Sequence, residues 1–495
     1  MDVAEMEKKT VASQEKLYEK NLNEWIDQEK AAIELIGVVG QLWFDKSVEL
    51  VIFRKKLIDN NSSSIIDMHL YARNISAQPI TIHETLMLAK EIARLDLAAS
   101  RIDIGRLAVQ WLQEKNNFNS AHDFIANKLK DFVGHDKRTL KPKDVILYGF
   151  GRIGRLAARM IISQAGKGEQ LRLRAIVTRG SNDKDIVKRS DLLRTDSVHG
   201  SFPGTIVEDV KNQAIVVNGQ IIKMISANKP EEVDYESYGI HDALLIDNTG
   251  VYRSREDLGK HLLAKGVSQV LLTAPGKGDI PNIVYGINHK SVDIKKEKIL
   301  SAASCTTNAI IPILSVINKT LGIERGHIET IHAYTNDQNL LDNYHSKHRR
   351  GRSAALNMVI TETGADSAIT KVIPELAGKL TANAVRVPTP NGSLAILSLS
   401  VGRNTSVEEV NNIVREAALN GPLIEQIRYS YSNELVSSDI VGIPRASIFD
   451  SPSTIVSKDG KNIVLYVWYD NEYGYTHQVV KITKYLAEAV RLRYY

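Results

Sequence analysis

Cysteine is nearly absent from this chain: one thiol, Cys305, serves 495 residues. A single cysteine excludes an internal disulfide and fits a reducing compartment, so a cytoplasmic location is expected. No apolar run approaches the roughly 20 residues of a membrane-spanning helix. The first residues, Met1-Asp2-Val3-Ala4-Glu5-Met6-Glu7, are acidic and carry no apolar core, so neither a signal peptide nor a transit peptide is read there. Proline is scarce at the start, with Pro79 alone in residues 1–140. A basic stripe is lacking too. Residues 1–140 hold 19 Lys+Arg against 21 Asp+Glu, and the remainder 44 against 37. That mild excess suits small anionic substrates, whereas nucleic acid calls for clustered cations. No nucleic acid, membrane or metal is expected as a partner.

At about 150 residues per domain, the length suggests three domains. Helix signals dominate residues 1–140, whose glycines are Gly37, Gly40, Gly105 and Gly134. Thr81 and Glu84 match a capping box after Pro79, and Ile82, Leu86, Ala89 and Ala93 follow at helical spacing. Ser120 and Asp123 offer a second helix start before Phe124 and Ile125. Asn60-Asn61-Ser62-Ser63-Ser64 reads as a loop, and Gly134–Arg138 as a polar linker. The pattern then changes to short apolar strands alternating with helices: Val145–Tyr148, Arg174–Val177, Ala243–Ile246 and Gln269–Thr273. That alternation predicts an α/β fold with a parallel sheet. Gly149-Phe150-Gly151-Arg152-Ile153-Gly154 lies between the first strand and a helical stretch through Ile162. In that context G-x-G-x-x-G predicts a dinucleotide site. Gly149 permits the tight turn, Gly151 the approach of a pyrophosphate, and Gly154 close helix–strand packing.

Cys305 sits in Ser304-Cys305-Thr306-Thr307-Asn308, between apolar runs ending at Ala303 and starting at Ala309. At a strand-to-helix junction a thiol meets free backbone N–H groups and a positive helix end, which favour the thiolate. A lone cysteine taken blind is more often a packing residue. Here hydroxyls flank it, and His332 follows in Glu329-Thr330-Ile331-His332-Ala333-Tyr334-Thr335-Asn336-Asp337-Gln338 as a base able to activate it. His289, beside Lys290, reads as a solvated surface histidine.

The segments Ser-Cys-Thr-Thr-Asn and His-Ala-Tyr-Thr-Asn-Asp-Gln, in this order, resemble phosphorylating glyceraldehyde-3-phosphate dehydrogenase. The likeness runs from Lys143 to Glu488. It implies a Rossmann-type dinucleotide-binding domain at 141–304 and an α+β catalytic domain at 305–470. A C-terminal segment, 471–495, would return to the first, and the mostly helical residues 1–140 lie outside the likeness. By resemblance Cys305 is the nucleophile and His332 its acid–base partner. Ser304, Thr306, Thr363 and Gly364 would hold inorganic phosphate, and Thr335 and Arg386 the phosphate of glyceraldehyde 3-phosphate. For the cofactor, NAD or NADP, the likeness adds Phe150, Arg152, Ile153, Thr249 and Thr273. Asn471 would bind the nicotinamide carboxamide and Tyr475 pack against the ring. It further implies a homotetramer, with Lys347–Arg352 in a loop at a subunit interface, and a place in glycolysis or gluconeogenesis. Erythrose-4-phosphate dehydrogenase shares the cysteine and histidine, but Thr335 leans towards the triose enzyme. A scaffold or regulatory role for residues 1–140 stands beside either reading.

Four places depart from the family pattern, among them Leu341–His345, which differs from the form usual in strictly NAD-dependent members. The acidic residue that holds the adenosine ribose falls on Thr178, followed by Arg179. Losing the carboxylate removes repulsion against a 2′-phosphate, and Arg179 can pair with one, so NADP acceptance is expected. In the alternative, Asp183 or Asp185 reaches the ribose. The second cysteine common in the family is Ala309 here, so no local disulfide can form. Glu362 brings a negative charge beside the presumed phosphate site.

Overall fold

A computed structural model describes residues 3–72, 79–166, 168–361 and 363–495, so the expectation for Glu362 lies outside the described residues. The chain divides into two units. One comprises Met1–Lys141, Gly166–Gln170 and Ala489–Tyr495; the other comprises Pro142–Ala165 and Leu171–Glu488.

The N-terminal unit contains helices α1 (Val3–Lys46), α2 (Ser62–Ala72), α3 (Ile82–Arg94), α4 (Ile104–Glu114) and α5 (Ala121–Lys128). The capping box at α3 forms as read: Thr81 accepts from the Glu84 N–H, and Glu84 accepts from the Thr81 N–H. Ser120 caps α5 through the Asp123 N–H. The polar run Asn60–Ser64 is only partly a loop. Asn61 Oδ1 accepts from the Ser64 N–H at 2.8 Å, and α2 already starts at Ser62. These serines occupy a first helical turn, where the side-chain cap replaces missing backbone acceptors.

This unit also holds a small sheet, which residue composition did not announce. Strands β1 (Glu49–Ile52), β2 (Lys55–Lys56) and β3 (Ser100–Asp103) line up in the order β2-β1-β3, and the C-terminal strand Leu492–Tyr494 adds parallel to β3. Arg491 fixes that last strand. Its Nε donates to the Ser47 carbonyl at 2.9 Å, its Nη1 to Gln170 Oε1 at 3.1 Å, and its guanidinium stacks 4.5 Å from the Trp43 ring centroid.

The second unit begins with β4 (Lys143–Tyr148), α6 (Arg152–Ser163), β5 (Leu171–Thr178) and α7 (Asp183–Arg194). A two-stranded turn follows, β6 (Thr195–Asp196) with β7 (Gly200–Ser201). Next come β8 (Ile206–Asp209), β9 (Ala214–Val217), β10 (Gln220–Ser226), β11 (Ala243–Asp247), α8 (Arg255–Gly259), β12 (Val267–Leu272) and β13 (Ile299–Ser301). Their sheet runs β13-β12-β11-β4-β5-β10-β9-β8, parallel from β13 to β10 and antiparallel beyond. The first strand, β4, therefore has β5 on one side and β11 on the other. That is a switch point, the place where parallel sheets open a crevice for ligands.

The second sheet of this unit is mixed. It runs through β15 (Val359–Thr361), β16 (Leu380–Val387), β14 (Ile323–Ala333), β17 (Ser393–Val401), β21 (Asn462–Tyr469), β19 (Ser447–Asp450) and β18 (Ile427–Ser430), with β20 (Ile455–Val456) beside β21. Helix α9 (Cys305–Leu321) buries Ile310, Ile313, Leu314 and Ile317 in one core with Leu397, Leu399, Leu465 and Val467 of the sheet. Helices α10 (Ala365–Val372), α11 (Val407–Leu419) and α12 (Tyr473–Leu486) complete the unit. Val479 and Ile482 of α12 share the core of the parallel sheet with Leu156 and Ile161 of α6. The segment 471–495 thus divides, its helix in this unit and its last strand in the other.

His289 corrects the surface reading. It is buried, its ring 4.4 Å from Tyr285 and 4.9 Å from Tyr485, and its Nδ1 accepts from the Gly286 N–H. One of its aromatic neighbours, Tyr485, comes from elsewhere in the chain, so the adjacent lysine was a poor guide. Among the described residues no helix is long and apolar enough to cross a membrane.

Candidate active site

Cys305 is the first residue of α9. Ser304 caps that helix, its hydroxyl accepting from the Thr307 N–H at 3.0 Å. The turn before it is held in an unusual shape: Ala303 has φ 56, in the left-handed region that a Cβ disfavours. Its neighbours enforce it. The Ala303 N–H donates to Ser301 Oγ at 3.0 Å, and the Tyr475 hydroxyl donates to the Ala303 carbonyl at 2.9 Å. Asn308 Nδ2 closes the turn by donating to the carbonyls of Ala302 and Ser304. The motif's asparagine therefore shapes the loop that presents the thiol, a role its sequence position alone did not give.

His332 arrives from the end of β14. Parallel pairing of β14 with β16 sets His332 directly beside Arg386. His332 Nε2 lies 3.4 Å from Cys305 Sγ. The Ala333 carbonyl, 2.6 Å from Nδ1, accepts that ring N–H, which leaves the Nε2 lone pair facing the sulfur. Arg386 Nη1 donates to the same carbonyl at 3.1 Å and reaches Thr335 Oγ1 at 3.4 Å. Cys305, His332, Thr335 and Arg386 thus share one site.

Burial, reinforced by the Arg386 guanidinium, pushes the His332 imidazole down to about 3. Burial raises the Cys305 thiol, and the same guanidinium pulls it back part of the way. Cys305 as a whole is only partly buried. Both directions favour a neutral thiol beside a neutral imidazole. The sequence expectation of a preformed thiolate at a helix start gives way here, because desolvation opposes charge on both partners.

Thr306 turns its hydroxyl to the Tyr469 hydroxyl at 3.1 Å, and Tyr469 presents its ring edge to His332. Thr363 and Gly364 lie between β15 and α10, Gly364 at the start of that helix. Residues from α10 and α9 meet in one core, through Ile369 and Ile313.

The glycine loop fits a dinucleotide. Gly149 has φ +91, and a Cβ there would crowd Thr249 at 3.0 Å. A Cβ on Gly154 would collide with the Gly149 carbonyl. A Cβ on Gly151 would meet nothing within 4 Å, so open space faces the start of α6, whose free N–H groups suit a pyrophosphate. Phe150 and Ile153 pack into the core beneath. Thr249 donates its N–H and hydroxyl to the buried Asp247 carboxylate, and the Thr273 hydroxyl donates to the Asp247 carbonyl. Asp470 accepts from Asn391, Glu472 and Tyr473 and so frames the loop that carries Asn471. Ser393 donates to Asn471 Oδ1 at 2.8 Å and accepts from the Ala333 N–H, which links that loop to the end of β14. Asp247, Asp470 and Ser393 escaped sequence reasoning, since each acts through hydrogen bonds that only the fold assembles.

At the end of β5 the Thr178 hydroxyl donates to the Gly180 carbonyl at 2.7 Å, and Arg179 is exposed. Asp185 is engaged in capping α7 with Asn182. Asp183 sits in the first turn of the same helix and is exposed.

Comparison with known proteins agrees with this geometry. Residues 143–255 match the glyceraldehyde 3-phosphate dehydrogenase NAD binding domain, and residues 304–471 match the C-terminal domain of that family. A glyceraldehyde-3-phosphate dehydrogenase-like protein of Pseudomonas aeruginosa (strain UCBPP-PA14) is 47% identical over 456 residues, covering 92% of this chain and 98% of its own length. That alignment is longer than the stretch from residue 141 to the C-terminus, so it reaches into the N-terminal extension. The glyceraldehyde-3-phosphate dehydrogenases of Pseudomonas aeruginosa PAO1 and Clostridium pasteurianum are 42% and 40% identical, over 69% and 70% of this chain and 97% and 99% of their own. The chain is therefore a member of the glyceraldehyde-3-phosphate dehydrogenase family, an oxidoreductase with a nicotinamide-dinucleotide-binding domain.

Proposed function

We propose that the protein catalyses the reversible phosphorylating oxidation of glyceraldehyde 3-phosphate to 1,3-bisphosphoglycerate. The observation that carries this reading is Cys305 Sγ within 3.4 Å of His332 Nε2, with Arg386 on the neighbouring strand. The Nε2 lone pair takes the thiol proton as sulfur attacks the aldehyde carbon, and the imidazolium returns that proton to the carbonyl oxygen, giving a hemithioacetal and a ring free to act again. The Cys305 N–H, free at the first turn of α9, donates to the developing oxyanion. His332 then removes the hydroxyl proton of the hemithioacetal. When bound, the nicotinamide accepts the hydride. A thioacyl group remains on Cys305 until inorganic phosphate, held by Ser304, Thr306, Thr363 and Gly364, attacks its carbonyl and expels the thiolate.

Thr335 and Arg386 hold the substrate's own phosphate. That phosphate would offset the guanidinium charge beside His332, so substrate binding itself raises the ring's affinity for a proton at the moment one must be accepted. Asn471 keeps its NH₂ for the nicotinamide carboxamide, because its oxygen is taken by Ser393. NADP is accepted as well as NAD: no carboxylate ends β5, Asp185 is occupied, and Arg179 is available to a 2′-phosphate. A homotetramer is supported by the loop around Lys347–Arg352, which leaves Leu340, Leu341, Tyr344 and Met358 between 73% and 90% exposed.

The test follows reduced-nicotinamide absorbance with glyceraldehyde 3-phosphate, NAD or NADP, with and without inorganic phosphate. Phosphate-dependent reduction is expected, and Arg179→Ala should weaken NADP use alone. Phosphate-independent turnover, or a preference for erythrose 4-phosphate, would overturn the assignment.

A further inference from the structure

A charged cluster that the chemistry above does not use lies at the start of α6. Arg152 donates from Nε and Nη2 to the two oxygens of the Glu472 carboxylate, the second bond being 2.6 Å. Its Nη1 and Nη2 also reach the Asp196 carboxylate at 3.2 and 3.1 Å. Glu472 Oε2 lies 2.9 Å from His199 Nε2. Asp196 and His199 belong to one tight turn, where Asp196 Oδ1 accepts from the N–H groups of Val198 and His199. Arg155, one helical turn beyond Arg152, stands 3.5 Å from Asp196. The carboxylates are largely withdrawn from water, Glu472 at 13% and Asp196 at 7% side-chain exposure.

Three segments meet here: the first turn of α6 beside Gly151, the loop bearing Asn471, and the turn between β6 and β7. Desolvated ion pairs offset their burial only when geometry is good and every oxygen is satisfied. A guanidinium fork on a carboxylate fixes direction as well as distance. Arg152 is fully engaged by these carboxylates, so whatever it does for a cofactor passes through them.

We propose that Glu472 is a positioning residue for the dinucleotide: through Arg152 it fixes the nicotinamide-side loop against the pyrophosphate-side helix start, so both ends of the cofactor meet preformed partners. This rests on reading Gly149–Gly154 and Asn471 as cofactor-binding. A site ordered in advance spares the ligand the entropy of ordering it, so the network should act on dinucleotide affinity and leave the aldehyde site alone.

Glu472→Gln keeps the shape and removes the charge. The dinucleotide KM is expected to rise about tenfold, the loss of one charge-assisted hydrogen bond, with the aldehyde KM unchanged. Arg152→Met should raise it similarly, and the double variant should be no worse than the poorer single one. Glu472→Asp, the same charge on a shorter arm, should fall between wild type and Glu472→Gln, and it serves if the amide variant does not fold. Quenching of protein fluorescence by NAD or NADP reads affinity without turnover. If the wild type binds neither, the cofactor reading fails and the proposal with it. If the wild type binds but the variants leave dinucleotide KM unmoved, or their effects add, the positioning role alone is overturned. Equal rises in both KM values with a lowered thermal midpoint mean general loosening and overturn it as well.

Discussion

Two buried histidines stand near strand ends in the same unit, in opposite company. His332, beside the end of β16, faces a thiol at 3.4 Å and has a guanidinium at its back. His261 meets the Asp247 carboxylate at 2.9 Å at the end of β11, and neither side chain has exposed surface. Asp247 also accepts twice from Thr249, so His261 is one strut in a network that shapes a loop. The first ring keeps a lone pair aimed at a group that can give up a proton. The second has its Nε2 proton held by a carboxylate already committed to neighbouring bonds. What surrounds a histidine, more than how deeply it lies, separates proton transfer from support.

The contrast would break if His332 were replaceable. His332→Asn is expected to lower kcat by about 10²–10⁴-fold, the usual worth of a general base, with the thermal midpoint held. Comparable kcat in steady-state assays would move His332 to the supporting class. Asp247→Asn should do the reverse. Calorimetry or denaturant titration is expected to show a loss of about 1–3 kcal/mol from a disturbed buried hydrogen-bond network, with kcat changed far less. A stable but inactive Asp247 variant would place chemistry where support is assigned. The finest test concerns Arg386. Its charge lowers the Cys305 thiol that burial raises, so removing it leaves the raised thiol uncorrected. In Arg386→Gln, alkylation of Cys305 should become slower at neutral pH and its midpoint should move to higher pH. A shift to lower pH would mean that the guanidinium charge is not what lowers the thiol.

The half of this contrast that we propose to be catalytic was legible in the chain as candidate residues, and the supporting half was not. Cys305 and His332 stand in short motifs with chemical side chains, and the register of β14 on β16 brings to them Arg386, a residue that only the family resemblance had singled out. Asp247 and His261 carry no motif. Their pairing exists because a parallel sheet returns the chain to the same edge. The N-terminal sheet was hidden for another reason: strands of four and two residues are too short to display alternation. Its last member, Leu492–Tyr494, comes from the opposite end of the sequence. His289 misled because Tyr485, whose ring meets it edge-to-face, is distant in the chain.

That returning strand has a consequence for synthesis. Translation runs from the N-terminal side to the C-terminal side, and domains generally fold as they emerge. Here the N-terminal unit also takes in Gly166–Gln170 and Ala489–Tyr495, so β3 gains its outer parallel neighbour only after residues 171–488 of the other unit have been made. A region translated early is thus completed late, and a chain interrupted before Leu492 would leave β3 as an open edge.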